Sequence, residues 1–244
     1  MLRKNTKIVL PKEHGSWAMF IMPVLIGILF TEAKWLHLFY TFGWFFLFLA
    51  STPILNMFRN KRKIDQMKPW AIGYSLIGII FLIPVIIYIP ELILFGLSLL
   101  PFLGISIFFI NKRKERALLN DLSGILIFTI GGAASYYIGK DAVTTEMFLL
   151  ILITTAYFLG SAFYIKSLIR ELKNPKFKVK SHIYHVILLI IPFIIRWETL
   201  IFAYLPSSIK DFVTPRTGVV KPMHSGIIEI CNSIIFLILV VVFK

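Results

Sequence analysis

The residues in this chain with chemistry to offer sit at the edges of long apolar runs. Lys12, Glu13 and His14 precede the first run and Asn56 closes the second. Asp121 opens the fifth, Tyr164, Lys166 and Arg170 close the sixth, and Glu229 opens the last. Cations, a histidine and a few carboxylates or amides in one layer suit the handling of an anion. Lys12, Lys166 and Arg170 would bind it, and Asp121 and Glu229 would orient the cations. Asn56, Tyr164 and Glu13 would add polar contacts. His14 is the best candidate for positioning the ligand or transferring a proton, because imidazole changes charge near neutral pH.

Plainer roles compete at every position. Lysine and arginine at helix ends snorkel to the interface with no site at all. A carboxylate near a helix N-terminus is stabilised by the dipole, which covers Asp121 and Glu229. Asn56 and Asn232 serve equally as hydrogen-bond glue between helices. His182 and His185 are three residues apart and share a helical face. With no positioned third ligand that pair makes no metal site, and no metal is expected. The sequence names no cofactor.

Apolar runs at roughly 15–31, 36–57, 70–89, 92–110, 118–139 and 147–169 approach the 20 or so residues that a helix needs to cross a bilayer. The segment 182–205 reads either as one long helix or as short helices over 182–195 and 199–213, turning at Arg196-Trp197-Glu198. A final run covers 226–243. Lysine and arginine come in bursts, Arg3–Lys12, Arg59–Lys68, Lys112–Arg116, Lys166–Lys180 and Lys210–Lys221, on every second connection. With nine spans and the N-terminus cytoplasmic, 22 of the 26 lysines and arginines lie inside, and only Lys34, Lys140, Arg196 and Lys244 lie outside. Eight spans would put Arg196 at depth, where an arginine costs about 3 kcal/mol. Nine are therefore preferred, although two helices of about 14 residues would each reach only ~21 Å. The first run lacks a small-residue cleavage site and is expected to remain as a helix.

The chain of 244 residues is 58% hydrophobic, well above the ~50% of a soluble domain. The expectation is an all-α polytopic transmembrane bundle forming a single integral membrane domain over residues 1–244. The net charge of +14 lies in short connections and points to anionic lipid headgroups, with no nucleic-acid partner. A lone cysteine, Cys231, excludes a disulfide framework. Gly131-Gly132-Ala133-Ala134-Ser135 reads as a close-packing surface inside the fifth helix.

Three segments carry a resemblance: Pro11-Lys12-Glu13-His14-Gly15-Ser16-Trp17-Ala18-Met19, Phe163–Arg170, and Lys221-Pro222 leading to Gly226-Ile227-Ile228-Glu229-Ile230. The chain resembles the YwiC-like family of bacterial membrane proteins over its whole length. That resemblance implies a multi-pass protein of the bacterial cytoplasmic (inner) membrane and brings no established activity. The layout is also similar, at a distance, to the UbiA-type intramembrane prenyltransferases, which have nine helices and a cytoplasmic-side magnesium diphosphate site. Their paired aspartates are missing after Asn56, and Tyr164–Glu171 holds cations instead. The combined expectation is a cytoplasmic-side pocket for an isoprenoid or other lipid-like amphiphile with an anionic head, its tail held in the bundle. The alternatives are a small-solute transporter and a non-catalytic membrane partner or assembly factor of a respiratory complex.

Overall fold

Apolar side chains cover the outer faces of the helices as well as their packed interior, where buried serines, threonines and a few ionic groups join them. In a computed structural model, described over residues 8–11, 14–216, 218 and 222–244, nine helices and no strand occur among the described residues. They are α1 (His14–Leu29), α2 (Leu36–Arg59), α3 (Ile64–Tyr88), α4 (Leu92–Asn111, interrupted at Leu99), α5 (Leu118–Lys140), α6 (Thr145–Ile165), α7 (Pro175–Ile194), α8 (Ile201–Val213) and α9 (Pro222–Val242). A π-helical turn, Lys166–Arg170, follows α6.

Seven of these helices, α2 to α7 and α9, are long and apolar enough to cross a bilayer. The chain is a multi-pass membrane protein. Its outer helices carry apolar side chains where a soluble protein carries charge. On α3, Leu76, Ile79, Ile80, Ile83 and Ile87 are all exposed, and almost none of the apolar length of α4 is buried. The short α8 is inside out. Tyr204, Ser207, Ser208 and Asp211 face inward at helical spacing, while Phe202, Leu205, Ile209, Phe212 and Val213 are exposed.

The segment after α7 settles the choice between eight and nine helices. The chain turns at Arg196, whose φ is +58°, and a short 3-10 turn at Glu198–Leu200 leads into α8. Trp197 Nε1 then donates to Phe243 O at 2.9 Å, and Lys244 Nζ donates to Phe30 O at 3.0 Å. The ends of α1, α7 and α9 therefore share one end of the bundle. The expected 182–195 helix is corrected to Pro175–Ile194, whose 20 residues reach ~30 Å. Its start lies further back because Asn174 caps Phe177 N and Pro175 takes the first helical position, where its missing N–H costs nothing.

The centre is the crossing of α1 and α5. A Cβ on Gly27 would lie 2.5 Å from Gly132 O, and one on Gly132 would lie 2.6 Å from Pro23 O, so the two backbones touch. Hydrogen bonds anchor this stretch of α5 to both α1 and α2. Ser135 Oγ donates to Val24 O at 3.1 Å, Tyr40 OH donates to Gly131 O at 2.6 Å, and His37 Nε2 lies 2.9 Å from Ser135 O. On one side Tyr157 stacks on Phe236 at 3.9 Å, with Tyr204 beyond; on the other, Phe20 stacks on Phe48 at 4.9 Å. Ser135→Ala, fully buried, is expected to lower stability by about 1 kcal/mol, as one interhelical hydrogen bond does. Thermal unfolding in detergent, read by circular dichroism, measures it.

A basic-end cleft and a buried ionic layer

The basic connections gather at the other end of the bundle. Arg59, at the end of α2, donates from Nε to Glu115 at 2.6 Å. Lys166, at the start of the π turn, pairs with Asp121 of α5 and donates to Arg116 O at 2.8 Å. Arg216, after α8, donates to Ser167 Oγ at 3.3 Å. Four connections are thus stitched into one layer, and the polar residues in it fall into two groups.

The first group surrounds an open cleft of about 600 Å³ lined by Arg59, Ile110, Arg113, Glu115 and Arg116. Its floor is held from below. Asn56 Oδ1 accepts from Arg59 Nη1 at 3.0 Å, Asn120 Nδ2 donates to Glu115 O at 2.8 Å, and Lys166 holds the carbonyl of Arg116. Lys166 is 5% exposed. Asp121 and the Arg116 carbonyl surround its ammonium. Asn56, Asp121 and Lys166 therefore stand behind the cleft and fix the segment that forms its wall.

The second group is buried under the α7–α8–α9 corner. Asp211, with no exposed surface, accepts from Ser181 Oγ at 2.7 Å, meets His182 Nδ1 at 2.6 Å and pairs with Arg216 Nη2 at 2.5 Å. His185 lies 3.4 Å from the same carboxylate and 2.9 Å from Ser181 O. Next to Asp211 in the chain, Lys210 pairs with Glu229, which also accepts from Ser161 Oγ. Tyr164 belongs here too. Its ring lies 4.3 Å from Lys210 Nζ and 5.4 Å from the Arg216 guanidinium, and its hydroxyl is 3.1 Å from Thr214 Oγ1. Asn232 Nδ2 donates to Tyr157 OH at 2.8 Å, deeper in the same corner.

Of the residues proposed from sequence, Asn56, Asp121 and Lys166 gather behind the cleft, and Tyr164 and Glu229 gather in the buried layer. Arg170 is exposed at the end of the π turn and lines neither. Lys12, Glu13 and the side chain of His14 lie outside the described residues. His182 and His185 do share a face, as their spacing says, and both address Asp211. The sequence reading missed Asp211, although Tyr204, Ser207, Ser208 and Asp211 trace a polar stripe at spacings of three and four. It treated Arg59 as ordinary flanking charge, and Arg113 and Arg116 likewise. The void beside Gly27 and Gly132 at the α1–α5 crossing is about 10 Å³, too small to hold a tail.

The profile of the YwiC-like protein family matches residues 10–136. An uncharacterized protein of Haemophilus influenzae is 33% identical over 236 residues, covering 97% of this chain and 98% of that one. The uncharacterized protein YwiC of Bacillus subtilis is 35% identical over 238 residues, again covering 97% and 98%. No solved structure matches. With matches that run from end to end of both relatives, the chain belongs to the YwiC-like protein family.

Proposed function

We propose that this protein binds an amphiphile with an anionic head, the head in the Arg59–Arg113–Arg116 cleft and the tail against the lipid-facing surface of α4. The observation that carries this reading is the cleft's lining: three guanidiniums, a single carboxylate and the apolar Ile110. Guanidinium presents a planar fork of donors suited to carboxylate and phosphate groups. The cleft lies at the membrane boundary of helices whose outer faces are apolar, so a head bound there leaves its chain in the hydrocarbon. The tail runs outside the bundle in this arrangement, not within it. By the positive-inside rule, the basic end and the N-terminus face the cytoplasm, and in a bacterium the membrane is the inner one.

The test is lipid retention on the purified full chain, measured by mass spectrometry after mild solubilisation. Arg113→Ala with Arg116→Ala is expected to reduce the retained anionic amphiphile about tenfold, the effect of losing one to two charge-assisted hydrogen bonds. Lys166→Met, which frees the Arg116 carbonyl, is expected to reduce it a few-fold, with Lys166→Arg restoring part of the loss. Arg196→Ala, at the opposite end, leaves retention unchanged. Equal retention in all variants overturns the reading, and a stably co-purifying protein in its place points to an assembly partner.

A further inference from the structure

The wall of the cleft contains a residue in an unfavourable conformation. Helix α4 ends in a Schellman turn: Lys114 N donates to Phe109 O and Arg113 N donates to Ile110 O, each at 2.9 Å. The first residue past the helix cap, the donor to Ile110 O, requires a left-handed backbone and is usually glycine, which has no Cβ to strain. Here it is Arg113, with φ at +53°. Arg196 occupies the same kind of turn at the other end of the bundle, with Trp197 N donating to Pro192 O at 2.9 Å, but it is not part of this cleft. Backbone strain kept at a binding surface is one way a protein fixes a functional side chain.

The charges in the cleft are also unequal. Glu115 is engaged by Arg59. Among the described residues, Arg113 and Arg116 have no carboxylate partner. Three arginines against one glutamate leave the cleft at +2. Two free guanidinium forks, each able to take a pair of oxygens, exceed what a carboxylate or a phosphodiester offers, since each has only two terminal oxygens and one negative charge. A phosphate monoester has three terminal oxygens and a charge of about −1.5 to −2 near neutral pH.

We infer that the cleft is selective for a phosphate monoester group, with Arg113 and Arg116 as its clamp and the left-handed turn setting the aim of Arg113. This rests on the anionic-amphiphile reading above for the source of the phosphate, although the same clamp would accept the group on a lipid or free in solution. Lys166 holds the Arg116 carbonyl and Glu115 engages Arg59, and neither engages the ligand.

The experiment uses the detergent-solubilised full chain and titrates it with dihexanoyl phosphatidic acid, dihexanoyl phosphatidylglycerol, hexanoate and inorganic phosphate. Phosphatidic acid is expected to bind at least about tenfold more tightly than the others, the difference of one to two charge-assisted bonds. Arg113→Gly is expected to raise the melting temperature, by relieving the turn, while weakening phosphatidic acid binding about tenfold. Arg196→Gly is expected to raise the melting temperature with binding unchanged. Equal affinity for phosphatidic acid and phosphatidylglycerol overturns the monoester inference and leaves the amphiphile reading intact. Inorganic phosphate binding as tightly as phosphatidic acid supports the clamp and overturns the amphiphile reading. Absence of binding by all four overturns both, and undiminished binding in Arg113→Gly overturns the assignment to Arg113.

Discussion

Asp211→Ala is expected to destabilise the protein by about 3–5 kcal/mol, the cost of removing one member of a buried ion pair and leaving the other uncompensated. Asp211 is fully buried and receives Ser181, His182 and Arg216 together, with His185 at 3.4 Å. Removing it strands the Arg216 guanidinium, whose side chain is 4% exposed, and orphans a hydroxyl and an imidazole. The damage should be located at the α7–α8 contact, because Ser181, His182 and His185 lie on α7 and Asp211 lies on α8. Ser181→Ala, which removes a single neutral donor, is expected to cost about 1 kcal/mol. Adding Arg216→Met to Asp211→Leu should recover most of the loss, since apolar groups often replace a buried pair with little penalty. Unfolding in graded denaturing detergent gives all three values. An Asp211→Ala protein as stable as the parent would show that the corner is held by packing alone.

The contrast between these groups explains what was legible in the sequence. The succession of helices was, because hydrophobic length acts through the solvent and needs no knowledge of partners. A turn at Arg196 was one of two readings of 182–205, preferred on charge, and the Trp197–Phe243 hydrogen bond puts that turn beside the end of α9. The start of α7 was misplaced because Lys176, Lys178 and Lys180 break the apolar pattern, yet Asn174-Pro175 was a readable start signal. The site was legible only as a layer. Lys166 was expected to bind the anion with Asp121 and Glu229 orienting the cations, and in the structure it pairs with Asp121. Glu229 instead finds Lys210, nineteen residues away on the preceding helix, because α8 returns antiparallel beside α9. Which cation faces solvent and which lies behind it depends on how α5 and the π turn meet, and one chain's spacing carries no record of that. Arg113 and Arg116 looked like topogenic charge for the same reason: their exposure in a shared cleft is a tertiary fact.

Gly27→Val and Gly132→Val are each expected to cost about 3 kcal/mol, at the upper end of overpacking penalties. The obstruction in each case is backbone. A Cβ at Gly27 meets Gly132 O at 2.5 Å and Tyr136 N at 2.7 Å, and one at Gly132 meets Pro23 Cβ and O, both at 2.6 Å. Side-chain rotation cannot relieve such a contact, so α1 and α5 must separate. The adjoining void of about 10 Å³ has room for roughly one water and cannot absorb the added carbons. Separation would also break the Ser135–Val24 hydrogen bond between them, in a setting where association depends on close packing because lipid is as apolar as the helices. Gly131 differs in kind. Its Cβ would meet the Trp44 ring at 2.5 Å, a side chain that can tilt, so Gly131→Ala should cost less than Gly132→Ala. Gly104, with nothing within 4 Å, supplies the control. Gly104→Ala is expected to be neutral or to stabilise by up to about 1 kcal/mol through helix propensity. Melting temperatures of the five proteins in one detergent test the order. If Gly132→Val melts with Gly104→Ala, the α1–α5 crossing is not the tight centre of the bundle. If the order holds, the effect should extend to the basic end, because α5 carries Asp121 and with it the support for Lys166 and the cleft wall.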